Sequence, residues 1–140
     1  MISRGIGAAT WSVVDAMPNI VSKPAQLPEE LGMYVDGLRR TYPAIDEVWV
    51  LGPRDDEERH RRWDLLAFAD EDALAAIRAN RSVHRADLRL TIVTDGDRFE
   101  RAWGAPRSGR LSSIRWRVED LHSASYIGDG AVRETAVRVR

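Results

Sequence analysis

Ile45-Asp46-Glu47-Val48-Trp49-Val50-Leu51-Gly52 and, ten residues on, Arg62-Trp63-Asp64-Leu65-Leu66-Ala67-Phe68-Ala69 are the two runs that decide the fold. The first is β-branched and aromatic from Ile45 to Leu51 and ends at glycine, the pattern of a strand running into a turn. The second is almost continuously apolar, which predicts a strand covered on both faces. Only Asp64 interrupts it. Charged residues are rarely buried without a partner, so Asp64 is either a ligand in a site or half of an ion pair with an arginine.

Outward from these runs the elements follow. The intervening Gly52-Pro53-Arg54-Asp55-Asp56-Glu57-Glu58-Arg59-His60-Arg61-Arg62 reads as a helix, with acids early and bases late to match its dipole. Upstream, Leu27-Pro28-Glu29-Glu30 opens a helix in which Leu31, Tyr34, Val35 and Leu38 recur at helical spacing, until Pro43 ends it. Downstream, Asp70 caps a helix through Asn80, with Leu74, Ala75 and Ile77 turned inward. Asp87 to Thr94 is a third strand, stopped by the Asp95-Gly96 turn. Phe99 to Trp103 predicts a short helix. From Gly109 the pattern is β-rich: Leu111 to Val118, Tyr126-Ile127, a turn at Gly128-Asp129-Gly130, then Val137 and Val139 alternating with Arg138 and Arg140. Residues 1–26, with Gly5, Gly7, Pro18 and Pro24, predict an arm carrying one short strand around Thr10–Val14. The chain therefore reads as an arm (1–26), a core (27–104) and a β-rich C-terminal extension of the same domain (105–140). The expected class is α/β, a mixed sheet with helices packed on one face.

Composition narrows the function. The 140 residues are 44% apolar and 31% charged, with 21 basic against 22 acidic side chains, which excludes a disordered chain. A net charge of -1 argues against wholesale binding to nucleic acid or anionic membrane. With no cysteine there is no disulfide, thiolate metal site or cysteine nucleophile. Ile6 to Val14 is too short for a secretory leader and no window approaches a membrane span, so the sequence predicts a cytoplasmic protein. Trp49, Trp63, Trp103 and Trp116 each sit in or beside an apolar pattern and are read as core.

A strand ending at glycine, a second strand opening with an acid and a third doing the same resembles the minimal nucleotidyltransferases of the DNA polymerase beta superfamily. The matching residues are Val48-Trp49-Val50-Leu51-Gly52-Pro53-Arg54, Arg62-Trp63-Asp64-Leu65-Leu66-Ala67-Phe68 and Asp87-Leu88-Arg89-Leu90. The resemblance covers about residues 28–104. It implies a nucleotidyltransferase-like fold and two magnesium ions held by carboxylates, one activating a hydroxyl and one neutralising the triphosphate. Carried across, Gly52, Pro53 and Arg54 take the nucleotide-binding turn, Asp64 the second aspartate of the metal pair and Asp87 the distal one. The departures are chemical. Pro53 has neither the hydroxyl nor the N–H of the family's serine. Arg62 stands where the first metal-binding aspartate belongs, and at ~4 Å its repulsion of a divalent cation would cost several kcal/mol even at an effective dielectric near 20.

The resemblance thus implies a degenerate member with Arg62 blocking the site: no cofactor, and a binding or partner-docking role. The implied partner is a small helical protein, as in bacterial toxin–antitoxin modules, or a second copy of the chain. The alternative is an active enzyme that moves a nucleoside monophosphate to a protein or small-molecule hydroxyl. There Asp64 and Asp87 hold magnesium and Asp55 or Asp56 replaces the missing ligand. A third reading, an RNA-binding module, would use Arg107, Arg110, Arg115, Arg117, Arg133, Arg138 and Arg140, against the balance of charge.

Overall fold

The computed structural model describes residues 27–52 and 62–139. The expected arm strand and the linker with Pro53, Arg54, Asp55, Asp56 and His60 lie outside the described residues. The chain divides into two units, Met1–Leu31 and Gly32–Arg140. Of the first, only residues 27–31 are described.

Two helices form where the sequence places them. α1 spans Glu29–Thr41, with Glu29 and Glu30 in its first turn and Arg39 and Arg40 in its last, so each end meets the opposite charge. α2 spans Glu71–Ala79 and is capped by Asp70, whose carboxylate accepts the Ala73 N–H at 2.8 Å. Ala73, Leu74 and Ile77 are its buried residues, so Ala73 rather than Ala75 completes the inward face.

The strands are β1 (Glu47–Val50), β2 (Trp63–Phe68), β3 (Leu88–Val93), β4 (Arg98–Arg101), β5 (Ser108–Arg110), β6 (Arg117–Val118), β7 (Ser123–Ile127) and β8 (Arg133–Val139). They form one sheet in the order β5-β4-β3-β2-β1-β8-β7-β6. Only β2 and β3 run parallel; every other pair is antiparallel. Phe99 to Trp103, expected as a helix, is mostly β4. Buried Phe99 pairs with Val93, Glu100 with Ile92 and Arg101 with Thr91, so hydrogen bonding to β3 fixes this segment as a strand.

The register sorts the sheet into two faces. One carries Val48 and Val50 of β1, Leu65 and Ala67 of β2, and Leu90 and Ile92 of β3, all buried. Arg78 of α2 donates to Glu100 of β4 at 3.1 Å, and Asn80 after α2 donates to the Tyr42 hydroxyl after α1 at 2.9 Å. The other face carries a second cluster built on Trp49, Leu66, Phe99 and Tyr126.

That second face is covered by the chain itself. A tight turn, Leu111–Ile114, follows edge strand β5, and Trp116 then leads into the opposite edge, β6. Trp116 lies edge-on to Trp49 at 5.3 Å between ring centres and also meets Phe68 and Tyr126. Eight strands laid flat would put their edges about 34 Å apart at ~4.8 Å per spacing. Arg110 and Arg117, which end on those edges, are seven residues apart and reach at most about 25 Å fully extended. The sheet must therefore curl, and the second face is its concave side.

This overturns the expected fold class. The helix-packed, nucleotidyltransferase-like α/β layout is absent; the described residues make a curled, predominantly antiparallel eight-stranded sheet with two helices, still mixed α+β. The physical reason lies at β1. Its neighbour opposite β2 is β8, from the chain's end, whose Val137 and Val139 pair with Val50 and Val48.

Candidate functional site

β1 leaves the sheet at Leu51, whose N–H donates to the Asp64 carbonyl at 2.7 Å, and turns at Gly52 with φ +75°. Left-handed backbone of this kind favours glycine. Beside this turn the concave face holds a cavity of about 100 Å³. Its apolar lining is Leu51, Leu66, Phe99 and Ile114. Its charged lining comes from four strands or their ends: Asp64 of β2, Arg89 of β3, Arg107 ahead of β5 and Glu134 of β8.

Strand order distributes these charges. On the β3–β5 side stand Arg89 and Arg107, with Arg101 of β4 directly across from the lining residue Thr91. The Arg107 guanidinium lies 5.9 Å from the centre of the Phe99 ring. Burial pulls the Arg101 guanidinium below its usual range; Asp64 works against that shift, while Arg89, Arg107 and Arg62 add repulsion. Its Nη1 donates to the Ala105 carbonyl at 3.1 Å, and its buried Nε has no hydrogen-bond partner among the described residues.

On the β8–β7 side Glu134 faces Tyr126, and the Tyr126 hydroxyl donates to Glu134 Oε1 at 2.9 Å. Burial, and then the Glu134 carboxylate, push the Tyr126 phenol far above its ordinary range, so it remains a donor. Gly128 is the seat of the Glu134 carboxyl: a β-carbon there would stand 2.5 Å from its carbon. A β-carbon at Gly52 would stand 3.4 Å from the Tyr126 hydroxyl, so this turn borders the same pair.

The sequence-derived candidates fall as follows. Asp64 lines the cavity, and Gly52 borders it next to Tyr126. Asp64 is level with Arg89 on β3, and Asp87 falls two residues earlier. The Asp87 carboxylate is gripped by Arg85 through two hydrogen bonds, at 2.9 and 2.6 Å, which holds it below the usual carboxylate range. Arg85 in turn stacks over Tyr34 of α1, 5.5 Å from the ring centre. Arg62 is exposed at the start of β2. Pro53 and Arg54 lie outside the described residues. Among the described residues no group of three or more histidine, aspartate or glutamate side chains could hold a metal ion. Asp64 among guanidinium groups and Asp87 bound to Arg85 do not fit a magnesium seat.

Sequence reasoning missed Arg89, Arg101, Tyr126 and Glu134. A signal existed for the first: Arg89 interrupts the apolar strand Leu88 to Val93 as Asp64 interrupts β2, and the register pairs the two. No such signal marks Glu134, which ordinary strand alternation explains. Comparison with family models, curated proteins and solved structures finds no match to this chain.

Proposed function

We propose that this chain is a binding module whose concave sheet face takes a small organic anion, rather than a metal-dependent nucleotidyltransferase. One observation carries the reading: Arg89 and Arg107, with Arg101 beside them, converge on a cavity whose floor is apolar. Guanidinium groups match carboxylate oxygens in pairs, and a few fixed polar groups above an apolar floor are the usual make-up of a ligand pocket. The alternative transferase finds no support in where Asp64 and Asp87 sit.

Calorimetric titration separates the two. Small carboxylates are expected to bind saturably without added metal. One charge-assisted hydrogen bond contributes about 1.5–3 kcal/mol, so Arg89→Gln or Arg107→Gln should weaken binding about 10–100-fold. Binding of a nucleoside triphosphate that requires magnesium and is lost in both Asp64→Asn and Asp87→Asn would overturn the proposal.

A further inference from the structure

Within that binding reading, on which this step rests, we infer that the ligand is an arene carboxylate: one flat aromatic ring with a carboxylate attached directly to it. Phe99 of β4 and Tyr126 of β7 both line the cavity. Those strands are five places apart in the sheet, about 24 Å on a flat one at ~4.8 Å per spacing. Residues so far apart meet one cavity of about 100 Å³ only because the sheet curls around it, so the space is a hollow between strands rather than a furrow along one. A compact body fits such a hollow better than an extended chain. At about 10–15 Å³ per water-sized centre it holds roughly seven to ten non-hydrogen atoms, and benzoate falls in this range.

The aromatic character follows from Phe99. Gly109 lies directly across from it on β5, and a β-carbon there would stand 2.9 Å from the ring's Cζ and 3.4 Å from both Cε atoms. The bare backbone of Gly109 is thus the seat of the ring, as where an aromatic side chain covers an edge-strand glycine. The Arg107 guanidinium lies 5.9 Å from the centre of the same ring, within cation–π range. Anion donor and aromatic wall are therefore neighbours, and a ligand that uses both has its acid group next to its ring. Paired aromatic rings gain more than the area they bury, which a saturated ring of equal size does not. Asp64, in register with Arg89, and Glu134, hydrogen-bonded by Tyr126, share the lining. Two carboxylates this near repel a second negative charge on the ligand, which limits it to one.

The test is calorimetric titration of the full chain with benzoate, cyclohexanecarboxylate and heptanoate, three monoanions with equal numbers of non-hydrogen atoms. Benzoate is expected to bind about two- to ten-fold more tightly than cyclohexanecarboxylate, the effect of one aromatic contact, with heptanoate weaker than either. Phe99→Leu keeps an apolar wall and removes the ring; Gly109→Ala keeps the ring and moves it. Each is expected to erase the preference for benzoate over cyclohexanecarboxylate, a ratio that a general loss of stability leaves unchanged. Benzoate binding no more tightly than the other two, or its preference surviving in either variant, overturns the arene carboxylate while the anion-binding reading stands. No binding of any carboxylate overturns both. The unmodified chain decides between the ligands alone if the variants do not fold.

Discussion

Glu134 occupies the space that a side chain on Gly128 would need. Gly128 has φ -93° and ψ -164°, a backbone any residue adopts, so its requirement for glycine is steric. Gly52 is the opposite case. Its φ of +75° penalises any β-carbon, while the nearest atom to one there is the Tyr126 hydroxyl at 3.4 Å, ordinary contact. The same substitution at the two sites should therefore fail differently. Gly128→Ala is expected to displace the Glu134 carboxyl and break its bond to Tyr126, at about 1 kcal/mol for the hydrogen bond. Gly52→Ala is expected to cost about 1–2 kcal/mol through backbone strain alone. Urea denaturation in the unmodified and Tyr126→Phe backgrounds checks both: the cost of Gly128→Ala should shrink in the second and that of Gly52→Ala should not, and equal shrinkage would refute the distinction.

Among the elements, the tight turn Leu111–Ile114 decides whether the cavity has a roof. It is fastened by Asp97, between β3 and β4: the Leu111 N–H donates to the Asp97 carbonyl, while the Ser112 N–H and the Arg110 guanidinium donate to its carboxylate at 2.9 and 2.8 Å. Trp116 then fills the concave face against Trp49. Trp116→Ala should cost about 3 kcal/mol, as for other large aromatic truncations, seen as a lower urea midpoint. Asp97→Ala should leave the sheet intact and speed amide exchange in residues 111–116; unchanged exchange there would show that the turn is held by its apolar contacts. The elements differ in how legible they were. α1, α2 and β1 to β3 could be read because each carries a local signal: paired acids and bases at helix ends, the Asp70 cap, apolar runs bounded by Gly52 and Asp95-Gly96. β4 was misread because Phe99, Ala102 and Trp103 satisfy a helical spacing as well as Phe99 and Arg101 satisfy a strand's, and pairing with Val93 decided between them. The order of strands was not legible at all. Nothing local in Val137 or Val139 states that they pair with Val50 and Val48, yet this long-range pairing is what replaced the expected fold. Of the site, Gly52 and Asp64 were found as local anomalies, whereas Glu134 and Tyr126 became a site only through that strand order.

Across the folded chain, two of its three tyrosines tie stability to alkaline pH, one on each side of the sheet. Tyr34 donates to the Val83 carbonyl at 2.7 Å on the helix side, and burial pushes its phenol up to about 12. Tyr126 lies on the concave side and is raised further, by burial and by Glu134. An unfolded tyrosine releases its proton near pH 10. Above that pH the unfolded chain therefore binds fewer protons than the folded one, and stability falls as pH rises. The contribution of Tyr34 is fully present below about pH 10 and is lost as the pH climbs through about 12. Because neither phenol can ionise without losing its place, phenolate absorbance from these two residues should emerge together with loss of the far-ultraviolet dichroism, in one transition. Tyr34→Phe gives up a hydrogen bond of about 1 kcal/mol at neutral pH, but it has no proton to release. Its stability should accordingly fall less steeply between pH 10 and 12 than that of the unmodified chain. A spectrophotometric titration followed by dichroism on the same samples tests this. Phenolate from all three tyrosines appearing near pH 10, with the dichroism unchanged, would mean that neither face of the sheet shields its phenol.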